Sequence, residues 1–412
     1  MSRVFVTGVG VVSPLGHGFD TYWRALVDGR DAAAEVAGFD TAGLDRTRAC
    51  EVRDFRPHDH LSAAEAERSG RCSQFALAAA RMAVAHAGLS PEALAGPRTS
   101  VVLGTTMGEA NLLGRLENAW IHRGLDAVEK NAIASYGTTL LPIHVARAFG
   151  ARGLVHALPA ACAAGNYAIG FASDLIRTGR ADVVISGATE VIEKLQYAGF
   201  VRLGAMAPEK VQPFDLNRRG LLVGEGAGVL VLESEASLVR RGATPLAEVG
   251  GYGLACDAYH ITRPHPEGAG SLHVLREAIV RSGLEPSQVD HVNAHGTATP
   301  ANDQVEAMVL NQLFGTHRPS VTSVKSMIGH CMGAASALEA AACIGTILHG
   351  IQPPTIHYET PDPACDLDVV ANAPRRAKSD VVLNNSLAFG GYDAAVIFAK
   401  PGVLPPPSEV QA

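Results

Sequence analysis

Leu158-Pro159-Ala160-Ala161-Cys162-Ala163-Ala164-Gly165-Asn166-Tyr167 is the stretch that decides the fold, because it predicts a strand, a sharp turn and a helix of very small residues. A cysteine in the first turn of a helix lies among unpaired backbone N–H groups at the positive end of the helix dipole, and both favour the nucleophilic thiolate. A single cysteine is more commonly a small buried apolar residue. The Pro-Ala-Ala turn before Cys162, the small residues after it and two distant histidines in unusual settings favour a nucleophile here.

The composition is that of a globular chain with a large core. Of 412 residues, 47% are hydrophobic and 18% are charged, which leaves room for two ordinary domains or one large double domain. There are 43 glycines but only 5% aromatic residues, so we expect helices to pack closely on sheets. The net charge of −7 and the lack of a clustered Lys/Arg stripe argue against a nucleic-acid partner.

Sequence signals of location favour the cytoplasm. The seven cysteines include no C-x-x-C pair, which indicates reduced thiols. The chain enters a strand near Val4 without a signal peptide. No uninterrupted apolar stretch looks long enough to cross a bilayer, so no membrane association is expected.

Strands alternate with helices along the whole chain. Apolar, β-rich runs in the first half, such as 4–12, 99–103 and 182–186, each end in a turn. The second half repeats this outline from Ala247 onward, with strands at 247–254, 289–293, 320–324, 380–386 and 394–399 and helices at 271–282, 303–314 and 331–348. This order predicts an α/β fold with parallel sheets covered by helices on both faces. The repetition predicts an internal duplication, divided into residues 1–245 and 246–412.

Two histidines of the second half lie next to predicted element ends. His295 follows the strand that ends at Asn293, which puts it at the carboxyl edge of a sheet, where ligands bind. On spacing alone, a structural histidine in a turn is an equally good interpretation. His330 is predicted at a helix start, where the dipole favours a neutral imidazole that can donate an N–H to a developing oxyanion. The alternative is a histidine that only caps the helix.

Further polar and backbone groups accompany these histidines. Lys325 is predicted to end a strand, and Glu339 in the next helix is a candidate partner for it, although a surface lysine is the simpler interpretation. The sequence Phe389-Gly390-Gly391 follows the strand at 380–386 and exposes backbone N–H groups that can line an oxyanion hole. Alone, it would be an ordinary glycine turn.

In the order Cys, His, Lys, His and Phe-Gly-Gly, these features resemble the elongating β-ketoacyl-[acyl-carrier-protein] synthases, or ketosynthases, of type II fatty acid and polyketide synthesis. The resemblance covers nearly the whole chain and is carried by VTGVGVVSPLG at 6–16, PFD at 213–215, GEGAG at 224–228, AHGTATPAND at 294–303, VKSMIGH at 324–330 and IQPPTIHYETPDP at 351–363. It implies a thiolase-like duplicated α-β-α-β-α sandwich of five layers, usually dimeric.

The resemblance also implies a mechanism that needs no metal or organic cofactor. Cys162 would take an acyl group from the phosphopantetheine of an acyl carrier protein, and the N–H groups of Cys162 and Phe389 would form the oxyanion hole. His295 and His330 would assist the decarboxylation of a malonyl-carrier protein, while Lys325 orders the site. The other implied residues are Glu339, Asp303 and Glu306 as supports, Thr297, Thr299, Phe389 and Gly390 for pantetheine, and Phe200, Leu113 and Met107 for the acyl pocket.

The implied partners are an acyl carrier protein and a second subunit, in either a homodimer or a heterodimer with a ketosynthase-like chain-length factor. The helix at 61–73 usually carries several cations for the carrier, but here only Arg68 and Arg71 are left, so electrostatic steering to this face is expected to be weaker. The other departures from the family pattern are Ala298 and Ala388 in place of glycines and Asp393 where asparagine is common. We therefore expect the Phe389 turn to move differently.

Several functions stay open on the sequence. The pathway is either housekeeping fatty acid elongation or a specialised type II polyketide or polyene pathway, and the departures favour the specialised one. A non-catalytic partner subunit would lack Cys162. A chain-initiating synthase would have asparagine at position 330 instead of His330, and a thiolase would need a second reactive cysteine near Phe389.

Overall fold

The computed structural model describes residues 2–406, so Met1 and residues 407–412, at the outer ends of the two predicted halves, lie outside the described residues. The strands are β1 (Val4–Ser13), β2 (Gly16–His17), β3 (Ala34–Glu35), β4 (Arg48–Ala49), β5 (Thr99–Thr105), β6 (Val155–Pro159), β7 (Val183–Glu190), β8 (Gly226–Ser234), β9 (Ala247–Cys256), β10 (His291–Asn293), β11 (Ser320–Thr322), β12 (Ile351–Gln352), β13 (Asp368–Val369), β14 (Arg375–Arg376), β15 (Val381–Ser386) and β16 (Tyr392–Ala399).

The helices are α1 (Phe19–Val27), α2 (Ala63–Glu67), α3 (Arg71–His86), α4 (Pro91–Leu94), α5 (Ala110–Arg123), α6 (Lys130–Ile133), α7 (Leu140–Phe149), α8 (Ala164–Arg177), α9 (Lys194–Arg202), α10 (Glu235–Arg241), α11 (Ala269–Arg281), α12 (Pro300–Phe314), α13 (Lys325–Ile328) and α14 (Ala335–His349). The short 3₁₀ turns Ala161–Ala163 and Met332–Ala334 precede α8 and α14.

One sheet path runs through both halves in the order β13-β11-β10-β15-β16-β9-β1-β8-β7-β5-β6. The two halves meet where β1 pairs with β9 at only two positions, Phe5 with Glu248 and Val6 with Ala247. On each side of this junction, two antiparallel pairings are followed by parallel ones. Both halves therefore use the same strand order, as the predicted duplication requires.

The sheets are mixed, which corrects the prediction of parallel sheets. The strands β15 and β16 are joined by only the five residues 387–391, and so short a connection can join only antiparallel neighbours. The strand β8 likewise runs antiparallel to both β7 and β1. The sequence pattern shows which segments are strands, but it does not show their directions where no helix intervenes.

Helices form three of the five layers. The helices α3 and α7 cover one outer face and α11 and α12 the other, while α8 and α14 lie between the halves and contact strands of both. This is the predicted thiolase-like α-β-α-β-α sandwich. Close packing follows from small residues, because a Cβ on Gly10 in β1 would lie 1.9 Å from the carbonyl oxygen of Ala79 in α3.

The segment Met332–His349 is apolar and long enough, at 18 residues and a mean hydropathy of 1.3, to meet the criteria for a membrane span. The segment contains the charged Glu339, so it is not the uninterrupted apolar stretch that we expect to be absent. Because 89% of the segment is buried between the two halves, its apolar character is that of a core helix, and it is weak evidence for a span.

Candidate active site

Cys162 lies in the predicted turn between β6 and α8. The turn is sharp because Ala161 has a positive φ of 47° and Cys162 sits in the 3₁₀ segment rather than in α8 itself. Its side chain is buried, with 6% exposure. Burial raises the pKa of the Cys162 thiol to about 12, while the charge of Lys325 and the backbone N–H of Phe389 act in the opposite direction. Burial therefore opposes the thiolate more strongly than the Lys325 charge and the Phe389 N–H favour it.

His330 contacts the cysteine directly, with 3.0 Å between its Nε2 and Cys162 Sγ. It does not begin a helix as predicted, because α14 starts five residues later. Two hydrogen bonds join the backbone of His330 to the segment 222–224. Its N–H donates to Leu222 O at 2.7 Å, and its carbonyl accepts from Gly224 N at 2.8 Å. Burial, and then the charge of Lys325, hold the pKa of His330 well below its ordinary value, so the imidazole is neutral.

His295 lies against His330, with 5.4 Å between the two ring centroids and nearly perpendicular planes. It follows β10, as predicted, and its loop is held by Glu306, whose carboxylate accepts from the N–H groups of His295 at 2.7 Å and Gly296 at 2.8 Å. Burial and the charge of Lys325 lower the pKa of His295 far below its ordinary value. Both imidazoles are therefore neutral, and each has one ring N–H that can donate and one ring nitrogen that can accept.

Lys325 and Glu339 form a fully buried ion pair beneath this site. Lys325 is the first residue of α13 rather than the end of a strand, which corrects the prediction, and Glu339 lies early in α14. The positive charge of Lys325 is the electrostatic cause that acts on Cys162, His295 and His330 together. It favours the thiolate and opposes protonation of both imidazoles.

The loop after His295 is braced by α12. Asp303 accepts from the N–H of Ala298 at 3.1 Å and from that of Phe214 at 2.8 Å, and burial raises its pKa to about 7. Ala298 has a positive φ of 63°, a conformation that suits glycine better than alanine. Asp303 therefore helps to hold a strained backbone beside the site.

A cavity of about 440 Å³ opens onto these groups. Cys162, His295 and His330 line it together with Phe389, whose ring stacks on Phe200 with centroids 5.8 Å apart. The hydroxyls of Thr297 and Thr299, which also line it, lie 2.8 Å from each other. The cavity volume lies in the range of small-molecule sites, and its wall carries both aromatic side chains and hydroxyls.

Three residues predicted for binding lie elsewhere. Gly390 is not part of the cavity wall, and its N–H donates to Ile261 O at 2.7 Å. Met107 and Leu113 do not line the cavity either, and they are 41% and 38% exposed on the surface of the chain. Their roles, like those of the other site residues, stay predictions.

The structure adds residues to the site that the sequence reasoning missed. The cavity wall also includes Asp257 and Arg263, from the loop after β9, and Arg219, shortly after the turn at 213–215. Asp257 and Arg263 could have been identified from their position, because their loop follows a strand and lies at the same sheet edge as Phe389. Within residues 2–406, no cluster of three or more His, Cys, Asp or Glu suited to a metal is present.

Comparison with known proteins agrees with this architecture. The family models for the β-ketoacyl synthase N-terminal and C-terminal domains match residues 1–237 and 246–359. The chain is 37% identical to 3-oxoacyl-[acyl-carrier-protein] synthase 2 of Synechocystis, over 97% of this chain and 98% of the relative. It is also 37% identical to nodulation protein E of Rhizobium meliloti, over 97% and 99%.

Two solved structures extend the comparison. A chain of "The ishigamide ketosynthase/chain length factor" is 41% identical, with a TM-score of 0.93, 97% of this chain and all of that chain covered. AntDE:AntF, a type II polyketide synthase acyl-carrier protein in complex with its ketosynthase, matches at 31% identity and a TM-score of 0.89, covering 97% and 99%. The chain belongs to the β-ketoacyl synthase family. It is an acyltransferase-type enzyme that carries out ketosynthase condensation in fatty acid or type II polyketide synthesis.

Proposed function

We propose that this chain elongates the product of a specialised type II polyketide or polyene pathway, together with an acyl carrier protein and a chain-length-factor-like partner. The observation that carries the elongating role is the 3.0 Å contact of His330 Nε2 with Cys162 Sγ in a cavity that His295 and Phe389 also line. The specialised pathway is supported by the 41% identity to the ishigamide structure, against 37% to the Synechocystis synthase.

Acylation begins when Cys162 Sγ attacks the carbonyl carbon of an acyl-carrier thioester. The Sγ proton passes to His330 Nε2 and from there to the departing pantetheine sulfur, so that the thiol of the carrier leaves as the Cys162 thioester forms. The backbone N–H groups of Cys162 and Phe389 favour negative charge at Cys162 Sγ. The same N–H groups hold the oxyanion that forms on the carbonyl oxygen when Sγ attacks.

Condensation follows when malonyl-carrier protein enters the same cavity. Its carboxylate leaves as CO₂, and the electron pair of the broken C–C bond forms an enolate. The enolate oxygen accepts a hydrogen bond from His295. It also accepts one from His330 when the ring proton of that histidine is on Nε2. The enolate carbon then attacks the Cys162 thioester and expels the thiolate. The product is a β-ketoacyl carrier longer by two carbons, and loss of CO₂ drives the bond formation without a metal or organic cofactor.

An exposed apolar surface supports the proposed partner subunit. It lies on and around α5 and α6 and includes Trp120, Ile121 and Leu125, which are 59%, 75% and 68% exposed. The strand β6 at the end of the sheet path is only half-buried. We propose that a ketosynthase-like subunit covers this surface, which includes Met107 and Leu113.

The test is intact-protein mass spectrometry of the wild type and of Cys162→Ala, each mixed with acyl-carrier thioesters and malonyl-carrier protein, with and without candidate partner subunits. We expect an acyl adduct on the wild type only, and an elongated β-ketoacyl carrier as product. A requirement for a partner and a preference for unsaturated donors support the specialised pathway. Efficient elongation of saturated donors by this chain alone would favour housekeeping fatty acid synthesis instead.

A further inference from the structure

Asp393 is a buried acid next to the turn that carries Phe389. It is the second residue of β16, two positions after Gly391, and its side chain is 4% exposed. It lines the cavity of Cys162. Among residues 2–406, no hydrogen bond or ion pair to its carboxyl group is found. The carboxyl group therefore faces the cavity without a protein partner among these residues.

Asp257 lies on the other side of the same turn. Its carboxylate accepts from the backbone N–H groups of Tyr259 at 3.1 Å and His265 at 3.0 Å, and its own N–H donates to Gly391 O at 2.9 Å. A Cβ on Gly391 would lie 2.2 Å from Asp257 Oδ1, so the carboxylate occupies the space beside the turn that a larger side chain would need. Asp257 therefore lies directly against Gly391 and is joined to it by a backbone hydrogen bond.

The two acids are neighbours in space. A Cβ on Gly270, in the first turn of α11, would lie 2.5 Å from Asp393 Oδ2 and 2.9 Å from Asp257 Cβ, so both side chains crowd the same point. Both also line the cavity of Cys162. Since Asp257 accepts from two backbone donors, Asp393 is the member of the pair that is free to carry a proton.

Among the residues that the structure describes, no cation pairs with either acid to offset two negative charges. The hydroxyl of Tyr167 in α8 donates to Ala255 O at 3.0 Å, and the thiol of Cys256 donates to Gly390 O at 3.4 Å. The ring of His265 packs on Tyr259, and Arg219 and Arg263 line the cavity without an ion pair to either acid. Burial and the charge of Asp257 raise the pKa of Asp393 to about 8.

We propose that Asp393 and Asp257 share one proton, and that this proton holds Asp257 against Gly391 and so positions the N–H of Phe389 at Cys162. Asp393 is thus a positioning residue that acts through the turn and does not touch the reacting atoms. When the proton is lost, two adjacent buried carboxylates repel each other, Asp257 shifts, and the turn moves the Phe389 N–H away from Sγ. The expected effect on the condensation rate rests on the proposed function.

The decisive experiment compares the pH profile of the condensation rate in the wild type and in Asp393→Asn, in which an amide donates a hydrogen bond at every pH. The protonated fraction of a single group with a pKa near 8 falls about tenfold between about pH 7 and about pH 9. We expect the wild-type rate to fall by that factor relative to the variant. Parallel profiles for the two proteins would overturn the proposal.

A second variant guards against a folding defect in the first. In Asp257→Asn the neighbouring charge is removed, so the alkaline fall should also disappear. If Asp257→Asn keeps the wild-type fall at the same pH, the shared proton is excluded. The matched control is Asp366→Asn, at an exposed acid that pairs with Arg318 at 3.0 Å, and its profile should equal that of the wild type.

A second readout needs no condensation. The rate at which iodoacetamide alkylates Cys162 depends on the Phe389 N–H, so the ratio of the rates of Asp393→Asn and wild type should change between about pH 7 and about pH 9. A constant ratio counts against the proposal. If no variant forms an acyl adduct at any pH, the proposed function is wrong, but the alkylation ratio still tests the shared proton.

Discussion

At the scale of single residues, the buried ion pair of Lys325 and Glu339 has the greatest effect on the site. Both side chains are fully buried, and the loss of hydration is offset only while the two charges face each other. Burial first, and then the Lys325 charge, keep the pKa values of His295 and His330 low, so both imidazoles stay neutral beside an ionisable cysteine. Chemistry and stability therefore depend on the same lysine.

Removal of one partner should expose this dependence. In Lys325→Ala, the carboxylate of Glu339 is left buried and uncompensated, so we expect the free energy of unfolding to fall by about 3–5 kcal/mol. Urea denaturation followed by circular dichroism measures it. The double variant Lys325→Met with Glu339→Gln, which leaves no unpaired charge, should recover most of the loss. Equal destabilisation of the single and double variants would contradict this explanation.

At the scale of elements, the outer helix α3 lies on β1 without room for a side chain at Gly10. A Cβ there would lie 1.9 Å from Ala79 O, a backbone atom that cannot move alone, so Gly10→Ala should displace α3 and cost about 1–3 kcal/mol or more of stability. Gly199 in α9 is the control, because a Cβ added to it would meet nothing within 4 Å beyond its chain neighbours and the backbone of its own helix. Gly199→Ala should be stabilising by about 0.5–1 kcal/mol, which differential scanning calorimetry resolves.

Local elements could be predicted wherever the decisive contacts are local. The turn at Cys162 and the loop at His295 follow from small residues and a strand end, and both appear where predicted. The settings of Lys325 and His330 could not be predicted, because a short helix and a bridge to Leu222, far earlier in the chain, fix them. The pattern likewise predicted the strands but not their mixed directions, which depend on the length of the 387–391 turn.

Long-range juxtaposition limited the prediction of the site in the same way. Asp257 and Arg263 reach the cavity only because β9 ends next to β16, and that pairing has no local signal. Met107 and Leu113 were predicted from family resemblance for an acyl pocket, but they lie on the exposed surface of this single chain. A surface that a second subunit covers cannot be read from one sequence.

At the scale of the whole molecule, the distribution of cations suggests where an acidic carrier would dock. Arg71 is committed to the fold, because it pairs with Glu225 at 2.7 Å and packs on the ring of Phe75. Arg219 and Arg263 are exposed at the cavity of Cys162 and make no ion pair among the described residues. They are therefore available to a partner whose pantetheine enters that cavity.

We accordingly expect Arg219→Glu and Arg263→Glu each to lower kcat/KM for carrier-bound acyl donors by about three- to tenfold, because an exposed charge pair is worth up to about 1 kcal/mol and reversal adds repulsion. The effect should shrink at high salt, where exposed charges are screened. It should be absent with an acyl-pantetheine donor, which has no protein part and no phosphodiester. Arg68→Glu is the matched variant on the α2–α3 face and should leave all rates unchanged. A loss confined to Arg68→Glu would place the carrier on that face and refute docking at the cavity mouth.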